Sequence, residues 1–404
     1  MAILVSQAGR PRALITGVGM VSSLGDGADG HWSRLGEGAP VRPVVDDSLA
    51  APYALHTIGE IAYEAQIPGR GDRRQMGPWQ LLGTYAAGLA LSDAGLAGDD
   101  EAKSRMNLLV AAGTAERDPE SDAAVLERVH SLPADGAALN RQMMDTLRPT
   151  LFLAQLANLL AGNISIVHKV TRSSCTFMGA EMAGVSAVEN AVARIRSGAD
   201  QLFLVGASFL AAADENLCIL AGLGRAWKGP WRSVWQRAGA GGGAMAGSVG
   251  AFLVIESGEH AERRGAPCYG EIERIVSGRD APGSDACPIR RVTGELAPGP
   301  LLVLSGASGI EPHTGAERQC LEELRSRGFE PAVRGFASVL GLAEEAHFPA
   351  GLALAAIAAR RRAAYDPFDD SGFEQPARAV PERILVTTSG QWRGAGAGLV
   401  VPAG

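Results

Sequence analysis

Cys175 is the residue best placed to act as a nucleophile in this 404-residue sequence. It lies in Val170–Gly179, where an extended stretch turns sharply into an Ala-rich helix predicted over Met178–Ser197. A cysteine at a helix N-terminus borders unpaired N–H groups and the positive end of the helix dipole, which lower a thiol pKa. The same amides can stabilise the oxyanion of an acyl-transfer intermediate. We predict a thiolate nucleophile; the alternative is a small buried side chain that only fills space.

The remaining cysteines and histidines have weaker contexts. The cysteine number is odd and no Cys-x-x-Cys occurs, so we expect neither a disulfide framework nor a zinc site, and no cofactor. His168, seven residues before Cys175 on a predicted strand, is interpreted as packed or surface-exposed, with a recruited base as the alternative. His347 is interpreted as the start of a helix or a recruited base. The cysteines interpreted as structural are Cys218, Cys268, Cys287 and Cys320.

Strands and helices that would position these residues alternate through both halves of the chain, which predicts a pseudo-duplicated α/β architecture with mostly parallel sheets. A Pro/Gly-rich surface segment over Gly278–Pro300 is predicted to separate the halves. The predicted strands are Ala13–Gly19, Leu108–Gly113, Asn163–Val170, Gln201–Gly206, Ala251–Glu256, Leu301–Leu304, Arg383–Thr387 and Gly398–Val401. Besides Met178–Ser197, the predicted helices are Met76–Gly95, Thr150–Ala161, Gly315–Arg327 and Phe348–Arg362.

Composition and charge exclude several classes of protein. Hydrophobic residues make up 46% of the chain and the net charge is −7, which argues against a general nucleic-acid binder. We expect no membrane span and no signal peptide, and hence a cytoplasmic protein. The run Arg360-Arg361-Arg362 is interpreted as a solvated helix C-terminus, or alternatively as a contact for an acidic carrier protein.

Two segments carry a recognisable pattern: Ile15–Gly25 reads "ITGVGMVSSLG", and Val170–Gly179 reads "VTRSSCTFMG". They resemble the opening "ITGVGxVSPLG" and the active-cysteine motif "VSTACATG" of the elongating β-ketoacyl-acyl-carrier-protein synthases of the thiolase-like superfamily. The resemblance implies a layered α-β-α-β-α sandwich whose two halves span residues 1–258 and 259–404. It further implies an acyl-carrier-protein partner and a homodimer or heterodimer in which Gln201–Gly206 pairs across the two-fold axis.

The family's decarboxylation and gating groups are missing at the matching positions. Gly306 stands at the place of the first histidine, whereas Glu317 fits the structural glutamate that follows. Ala337 and Leu342 replace the lysine and the second histidine, with His347 as a weak substitute five residues later. In the C-terminal loop, Gly390 and Trp392 replace two phenylalanines and Gly396 the asparagine. The predicted substrate pocket consists of Phe177, Gly306, Leu342, Gly390 and Trp392.

Three functions are compatible with this pattern. The chain resembles a chain-length-factor-like subunit of fatty-acid or polyketide synthesis, which would not condense alone and would pair with an active synthase. Such factors usually lack the cysteine, so its retention keeps open an active 3-oxoacyl synthase, acyltransferase or thioesterase that uses Cys175 with rearranged groups. A non-enzymatic scaffold is the third possibility.

Overall fold

Two groups of five strands form the centre of the molecule. The computed structural model describes residues 9–36, 38, 43–113, 117–131, 136–146, 155–278, 287–392 and 394–403. In chain order the strands are β1 (Ala13–Ser22), β2 (Gly25–Asp26), β3 (Asp46–Ala50), β4 (Tyr53–Leu55), β5 (Asn107–Ala111), β6 (Ser173–Phe177), β7 (Leu202–Phe209), β8 (Val249–Ser257), β9 (Gly270–Gly278), β10 (Pro300–Ser305), β11 (Glu330–Gly335), β12 (Ile384–Ser389) and β13 (Ala395–Pro402).

Helices follow most of these strands. They are α1 (Gly27–Leu35), α2 (Arg70–Gln75), α3 (Pro78–Asp93), α4 (Asp100–Ser104), α5 (Pro119–Ser131), α6 (Gly136–Thr146), α7 (Leu159–His168), α8 (Glu181–Arg196), α9 (Asp214–Gly222), α10 (Val234–Ala238), α11 (Gly258–Arg263), α12 (Pro288–Thr293), α13 (His313–Ser326), α14 (Ala337–Leu340) and α15 (Glu344–Arg361).

The same strand topology occurs twice. The first group has the spatial order β6-β5-β7-β8-β1 and the second has β11-β10-β12-β13-β9. In each group the third strand in sequence is at the edge, two neighbouring pairs are parallel and two are antiparallel. The predicted duplicated α/β architecture is therefore confirmed, but the sheets are mixed and not mostly parallel. The division at residues 258 and 259 stays a prediction.

Two long helices pack against each other between the strand groups. Helix α8 contacts β5 and β7 of the first group and β9 of the second, and α15 contacts β7, β8 and β12. Almost every residue of α15 is buried, which explains its apolar, Ala-rich composition. Helix α3 packs on β1, β7 and β8. The first turns of α8 and α15 lie at the site described below.

Several predicted elements differ from the observed ones. Asn163–Val170 was expected to be extended, but residues 159–168 form α7, and part of the helix expected over Thr150–Ala161 lies outside the described residues. Strand β7, expected to pair across a dimer axis, lies between β5 and β8, so that expectation is wrong. The strand at that end of the sheet is β6. Of the segment Gly278–Pro300, residues 279–286 lie outside the described part, and the rest includes α12.

The C-terminus of α15 agrees with its interpretation from the sequence. Arg360 and Arg361 occupy the last turn of the helix. The Arg361 guanidinium forms an ion pair with Asp29, and the Arg360 guanidinium lies 4.6 Å from the ring centroid of Tyr269. Among the described residues, no helix is long and apolar enough to cross a membrane.

Candidate functional site

The turn between β6 and α8 does not occur at Cys175. Strand β6 continues through Phe177 because it pairs with β5 residue by residue, up to Ala111 opposite Phe177. Cys175 lies in the middle of this strand, opposite Leu109, and is exposed to solvent. The prediction that Cys175 stands at a helix N-terminus is therefore wrong, because backbone pairing extends the strand past the cysteine.

Ala180 occupies the N-cap of α8 instead. Its backbone has φ 50° and ψ −139°, a conformation that costs a residue with a side chain about 1–3 kcal/mol. A strained residue at a sharp strand-to-helix turn is the geometry of a nucleophile elbow. Here the side chain at the elbow is a methyl group, which cannot attack a thioester.

The elbow opens into a cavity of about 910 Å³. Its walls come from the ends of β5 and β9, the first turns of α8 and α15, helix α9 and the loop between β12 and β13. The lining residues are Ala112, Gly113, Met178, Gly179, Ala180, Glu181, Met182, Ser186, Asn216, Ile219, Ser277, Gly278, Glu344, Glu345, Trp392 and Gly394. Among these described residues there is no cysteine, histidine or lysine, and three are glutamates.

The three glutamates lie at the starts of the two central helices. Burial and repulsion by Glu344 raise the pKa of Glu181 to about 7. For the same two reasons the pKa of Glu345 is raised to about 8. The pKa of Glu344 is also raised by burial, while its Oε1 accepts a hydrogen bond from Gln391 Nε2 at 3.0 Å. This cluster is not predictable from the sequence, because acidic residues at a helix start usually only complement the helix dipole.

His347 does not line the cavity and is not a free base. Its Nδ1 accepts a 3.4 Å hydrogen bond from the Ala343 amide, and its Nε2–H donates to the Gly306 carbonyl at 3.0 Å. The side chain is fully buried, which lowers its pKa to about 4 and keeps the ring neutral at pH 7. His168 likewise bonds the carbonyl of Thr84 through Nε2, at 2.9 Å, as expected of a packed histidine.

Trp392 is the one predicted pocket residue among the described residues that line the cavity. Trp392 is 53% exposed, with the guanidinium of Arg225 at 4.7 Å from its ring centroid. The others, Phe177, Gly306, Leu342 and Gly390, are not part of the lining. Leu342 belongs to the main hydrophobic core, because its backbone bonds Met245 and its side chain turns inward.

The position of Gly306 has no room for a side chain. A Cβ atom built there would lie 2.3 Å from the carbonyl oxygen of Thr387. Glu317, predicted to be structural, is buried nearby and accepts hydrogen bonds from the hydroxyls of Ser305, Thr387 and Ser389. Close packing and hydrogen bonds to Glu317 therefore fix this segment. A histidine could not replace Gly306 without backbone movement.

The remaining cysteines differ in their surroundings. Cys287 and Cys320 are buried with their Sγ atoms 3.3 Å apart, Cys268 is half-buried and Cys218 is exposed. No group of His, Cys, Asp and Glu among the described residues is arranged to hold a metal ion.

Comparison with known proteins identifies related sequences and folds. The chain is 24% identical over 280 residues to 3-oxoacyl-[acyl-carrier-protein] synthase 2 of Vibrio harveyi, a match that covers 67% of this chain and 63% of that protein. It is 25% identical over 348 residues to the tetracenomycin polyketide synthase ketoacyl synthase beta subunit of Streptomyces glaucescens, covering 79% and 78%. Against three curated proteins named 3-oxoacyl-[acyl-carrier-protein] synthase 2, the match covers 62–64% of their length, which is less than two thirds.

Solved structures agree on the fold. The ishigamide ketosynthase/chain length factor superposes with a TM-score of 0.76 at 19% identity, covering 98% of this chain and 100% of that one. This likeness confirms the thiolase-like ketosynthase fold, with mixed α/β layers around a large central sheet. The family model "Beta-ketoacyl synthase, N-terminal domain" matches residues 11–260, well over half of the sequence. The chain therefore belongs to the beta-ketoacyl synthase family.

Proposed function

We propose that this chain is a subunit of fatty-acid or polyketide chain elongation that does not condense by itself and pairs with an active ketosynthase. The observation that carries the proposal is the elbow: Ala180 stands at the strained N-cap that faces the cavity. An alanine there removes the covalent acyl-enzyme step.

The second half of the chemistry is also weakened. Removing one oxyanion-type donor typically costs about 10²–10³ in rate, or about 3–4 kcal/mol. At the positions of the two family histidines, Gly306 carries no side chain and Leu342 is packed into the core. With neither a thiol nor an imidazole among the described cavity residues, decarboxylative condensation by this chain alone would be too slow to matter.

Names of similar proteins favour a partner role. One curated relative is called a ketoacyl synthase beta subunit, and one solved structure is a ketosynthase/chain length factor. The alternative, thioester chemistry at Cys175, is less favoured because this exposed thiol is not part of the cavity lining that would hold an acyl chain. A scaffold without a role in lipid chemistry would have no use for a 910 Å³ cavity at the elbow.

The sheet edge supplies a surface for the partner. Strand β6 pairs only with β5 among the described strands, and its Ser173, Ser174 and Cys175 are exposed. An exposed edge strand offers unpaired N–H and C=O groups to another chain. We propose that β6, and not β7, pairs with the active synthase or with a second copy of this chain.

Product analysis tests the proposed activity. The purified chain, mixed with malonyl- and acyl-carrier protein, is expected to give no condensation product by mass spectrometry. Addition of an active ketosynthase from the same organism is expected to give product whose length distribution depends on this chain. Condensation by the chain alone would refute the proposal. If the chain binds neither a ketosynthase nor a carrier protein, both lipid functions are excluded.

The pairing surface has its own test. Thr176→Pro removes a backbone N–H from β6 and is expected to abolish co-purification with the ketosynthase. The control is Thr176→Val, which changes the same side chain but keeps the backbone donor. Equal loss of the complex with both variants would argue against backbone pairing at this edge.

A further inference from the structure

Cys287 and Cys320 bring two thiols into contact inside the second half of the molecule. Cys287 is the N-cap of α12, and Cys320 lies in the middle of α13, 33 residues later in the chain. Their Sγ atoms are 3.3 Å apart, and both side chains are buried in the same apolar cluster. A disulfide joins its sulfurs at about 2.05 Å, so these two would need to approach each other by about 1.3 Å.

Polar contacts that do not involve sulfur already hold the two helices together. The Arg290 guanidinium of α12 donates to Glu323 Oε2 of α13, from Nε at 2.9 Å and from Nη2 at 2.6 Å. The Arg327 guanidinium, at the C-cap of α13, donates to the hydroxyl and the carbonyl oxygen of Thr293. Because these bonds position α12 on α13 in the reduced chain, closing a sulfur–sulfur bond requires side-chain adjustment and no new arrangement of the helices.

Helix α12 is also connected to the wall of the cavity. It packs on β9 and β13, and the guanidinium of its Arg291 donates to the carbonyl oxygen of Ser277 at 3.0 Å. Ser277 lines the cavity, and its hydroxyl donates to Glu189 Oε2 of α8 at 2.6 Å. A restraint on α12 therefore acts through one hydrogen bond on the cavity wall at the end of β9.

We propose that Cys287 and Cys320 are an oxidation site, which closes into an intramolecular disulfide and fixes α12 against α13. Hydrogen peroxide is the oxidant that suits the site, because thiols that are 3% and 2% exposed exclude a larger disulfide reagent. One cysteine, as its thiolate, attacks a peroxide oxygen. The O–O bond breaks, the cysteine becomes a sulfenic acid, and the departing hydroxide takes up the thiol proton as water.

The second thiol completes the reaction. Its sulfur attacks the sulfenic sulfur, forms the S–S bond and releases the sulfenic oxygen as a second water molecule, which carries away the remaining thiol proton. The two thiols together lose two electrons and two protons, and hydrogen peroxide gains them. Because the second sulfur is already in contact with the first, we expect the disulfide to accumulate and further oxidation to sulfinic acid to be avoided.

The first step is the slow one. The hydrogen bond with Cys287 and burial raise the pKa of the Cys320 thiol, so little of its thiolate is present near neutral pH. The exposed thiols of Cys175 and Cys218 should therefore react with peroxide before the buried pair does. Peroxide treatment must continue until these two are fully modified before the state of the pair is judged.

Peptide mapping after peroxide treatment tests the proposal. The reduced chain is treated with hydrogen peroxide, unfolded in the presence of an alkylating reagent and digested without reductant. We expect a linked pair of peptides that contain Cys287 and Cys320, and dithiothreitol should separate them. Closing a loop of 33 residues should also raise the melting temperature by about 4 °C. Amide hydrogen exchange should become slower in α12 and at Ser277.

Cysteine variants separate the pair from the other thiols. Cys320→Ala removes one partner, so any change in melting temperature that peroxide still causes in it arises from the other cysteines. If this variant does not fold, Cys287→Ala replaces it. The matched control is Cys268→Ala, at a half-buried cysteine outside the pair, which should form the linked peptides and gain stability as the wild type does.

Three results would overturn the inference. The first is alkylation of both thiols after peroxide has modified Cys175 and Cys218. The second is sulfinic acid at Cys287 or Cys320 without linked peptides. The third is a linked pair that leaves the melting temperature and the exchange of α12 unchanged, since the bond would then fix nothing. These measurements need neither an acyl substrate nor a partner chain, so their failure is separable from failure of the proposed function.

Discussion

His347 donates from Nε2 to the carbonyl oxygen of Gly306 at 3.0 Å, and this bond joins the start of α15 to the segment that follows β10. The other ring nitrogen accepts from the Ala343 amide, which fixes the neutral tautomer with its proton on Nε2. Both positions lie in segments that resemble the family's catalytic-histidine motifs. In this chain an imidazole still lies between the two segments, but it is used to hold them together.

Loss of this bond should destabilise the protein. His347→Leu leaves the buried Gly306 carbonyl without its donor, so we expect a loss of about 2–3 kcal/mol in the free energy of unfolding, measured in urea. His347→Gln retains an N–H donor and should cost less. His313→Leu, at a half-buried histidine on α13, is the control and should change stability by about 0.5 kcal/mol or less. A similar cost for His347→Leu and His313→Leu would show that the bond contributes little.

The same histidine should make stability depend on pH. Its pKa is about 4 in the folded chain against 6.5 unfolded, so between these values the unfolded chain binds more protons. The contribution is therefore complete above pH 6.5 and is lost as the pH falls towards 4. The unfolding free energy of the wild type should therefore fall by about 2–3 kcal/mol relative to that of His347→Gln between pH 7.5 and 4.5. A difference that is constant with pH would contradict burial of a neutral ring.

The duplicated fold was accessible from the sequence because its interior elements are locally apolar. Strands β5, β7 and β8 are continuous hydrophobic runs, and α15 is apolar on nearly all sides. Strands β9 and β11 were not predicted from the sequence. Strand β9 contains two glutamates and an arginine, and β11 buries Arg334, whose guanidinium bonds the carbonyls of Tyr365 and Gln375. Those partners are 31 and 41 residues away, so no local pattern indicates them.

The site was less accessible for the same physical reason. The position of the elbow depends on how far β6 pairs with β5, whose partner residues precede β6 by 66 positions. The sequence motif therefore placed Cys175 at the helix N-terminus, a position that Ala180 occupies in the structure. The cavity acids were not recognised either, because only the packing of α8 against α15 buries Glu181 and Glu345.

Glycine should be tolerated at the elbow better than elsewhere in α8. Ala180 has φ 50°, which glycine adopts without strain, so Ala180→Gly is expected to raise the free energy of unfolding by up to about 1 kcal/mol. Ala193, an exposed alanine with helical backbone in the same helix, is the matched control, and Ala193→Gly should cost about 1 kcal/mol. Equal destabilisation in thermal or urea unfolding would mean that position 180 is not strained.

A side chain at position 306 should lower the free energy of unfolding. The Cβ of Gly306→Ala would overlap the Thr387 carbonyl, and overpacking of this kind costs about 1–3 kcal/mol. Gly30→Ala, in α1 with nothing within 4 Å of the new methyl group, should instead stabilise the helix by about 1 kcal/mol. We expect opposite signs in urea unfolding, and restoring a histidine at 306 should fold worse than Gly306→Ala. Stabilisation by Gly306→Ala would show that the backbone there has room.

Cys175 should behave as an ordinary surface thiol. It lies on an exposed strand five residues before the N-cap of α8, so the helix dipole, which acts within about one turn, does not reach it. We expect iodoacetamide to alkylate Cys175 near neutral pH no faster than free cysteine, as followed by mass spectrometry of the modified peptide. The Cys218→Ser background removes the other exposed thiol.

In that background Ala180→Cys places a second thiol at the cavity. The alkylation rate of this thiol reports how far the helix N-terminus outweighs Glu181 and Glu344. Alkylation of Cys175 about tenfold faster than free cysteine would restore it as a nucleophile and would favour the active enzyme over the partner subunit.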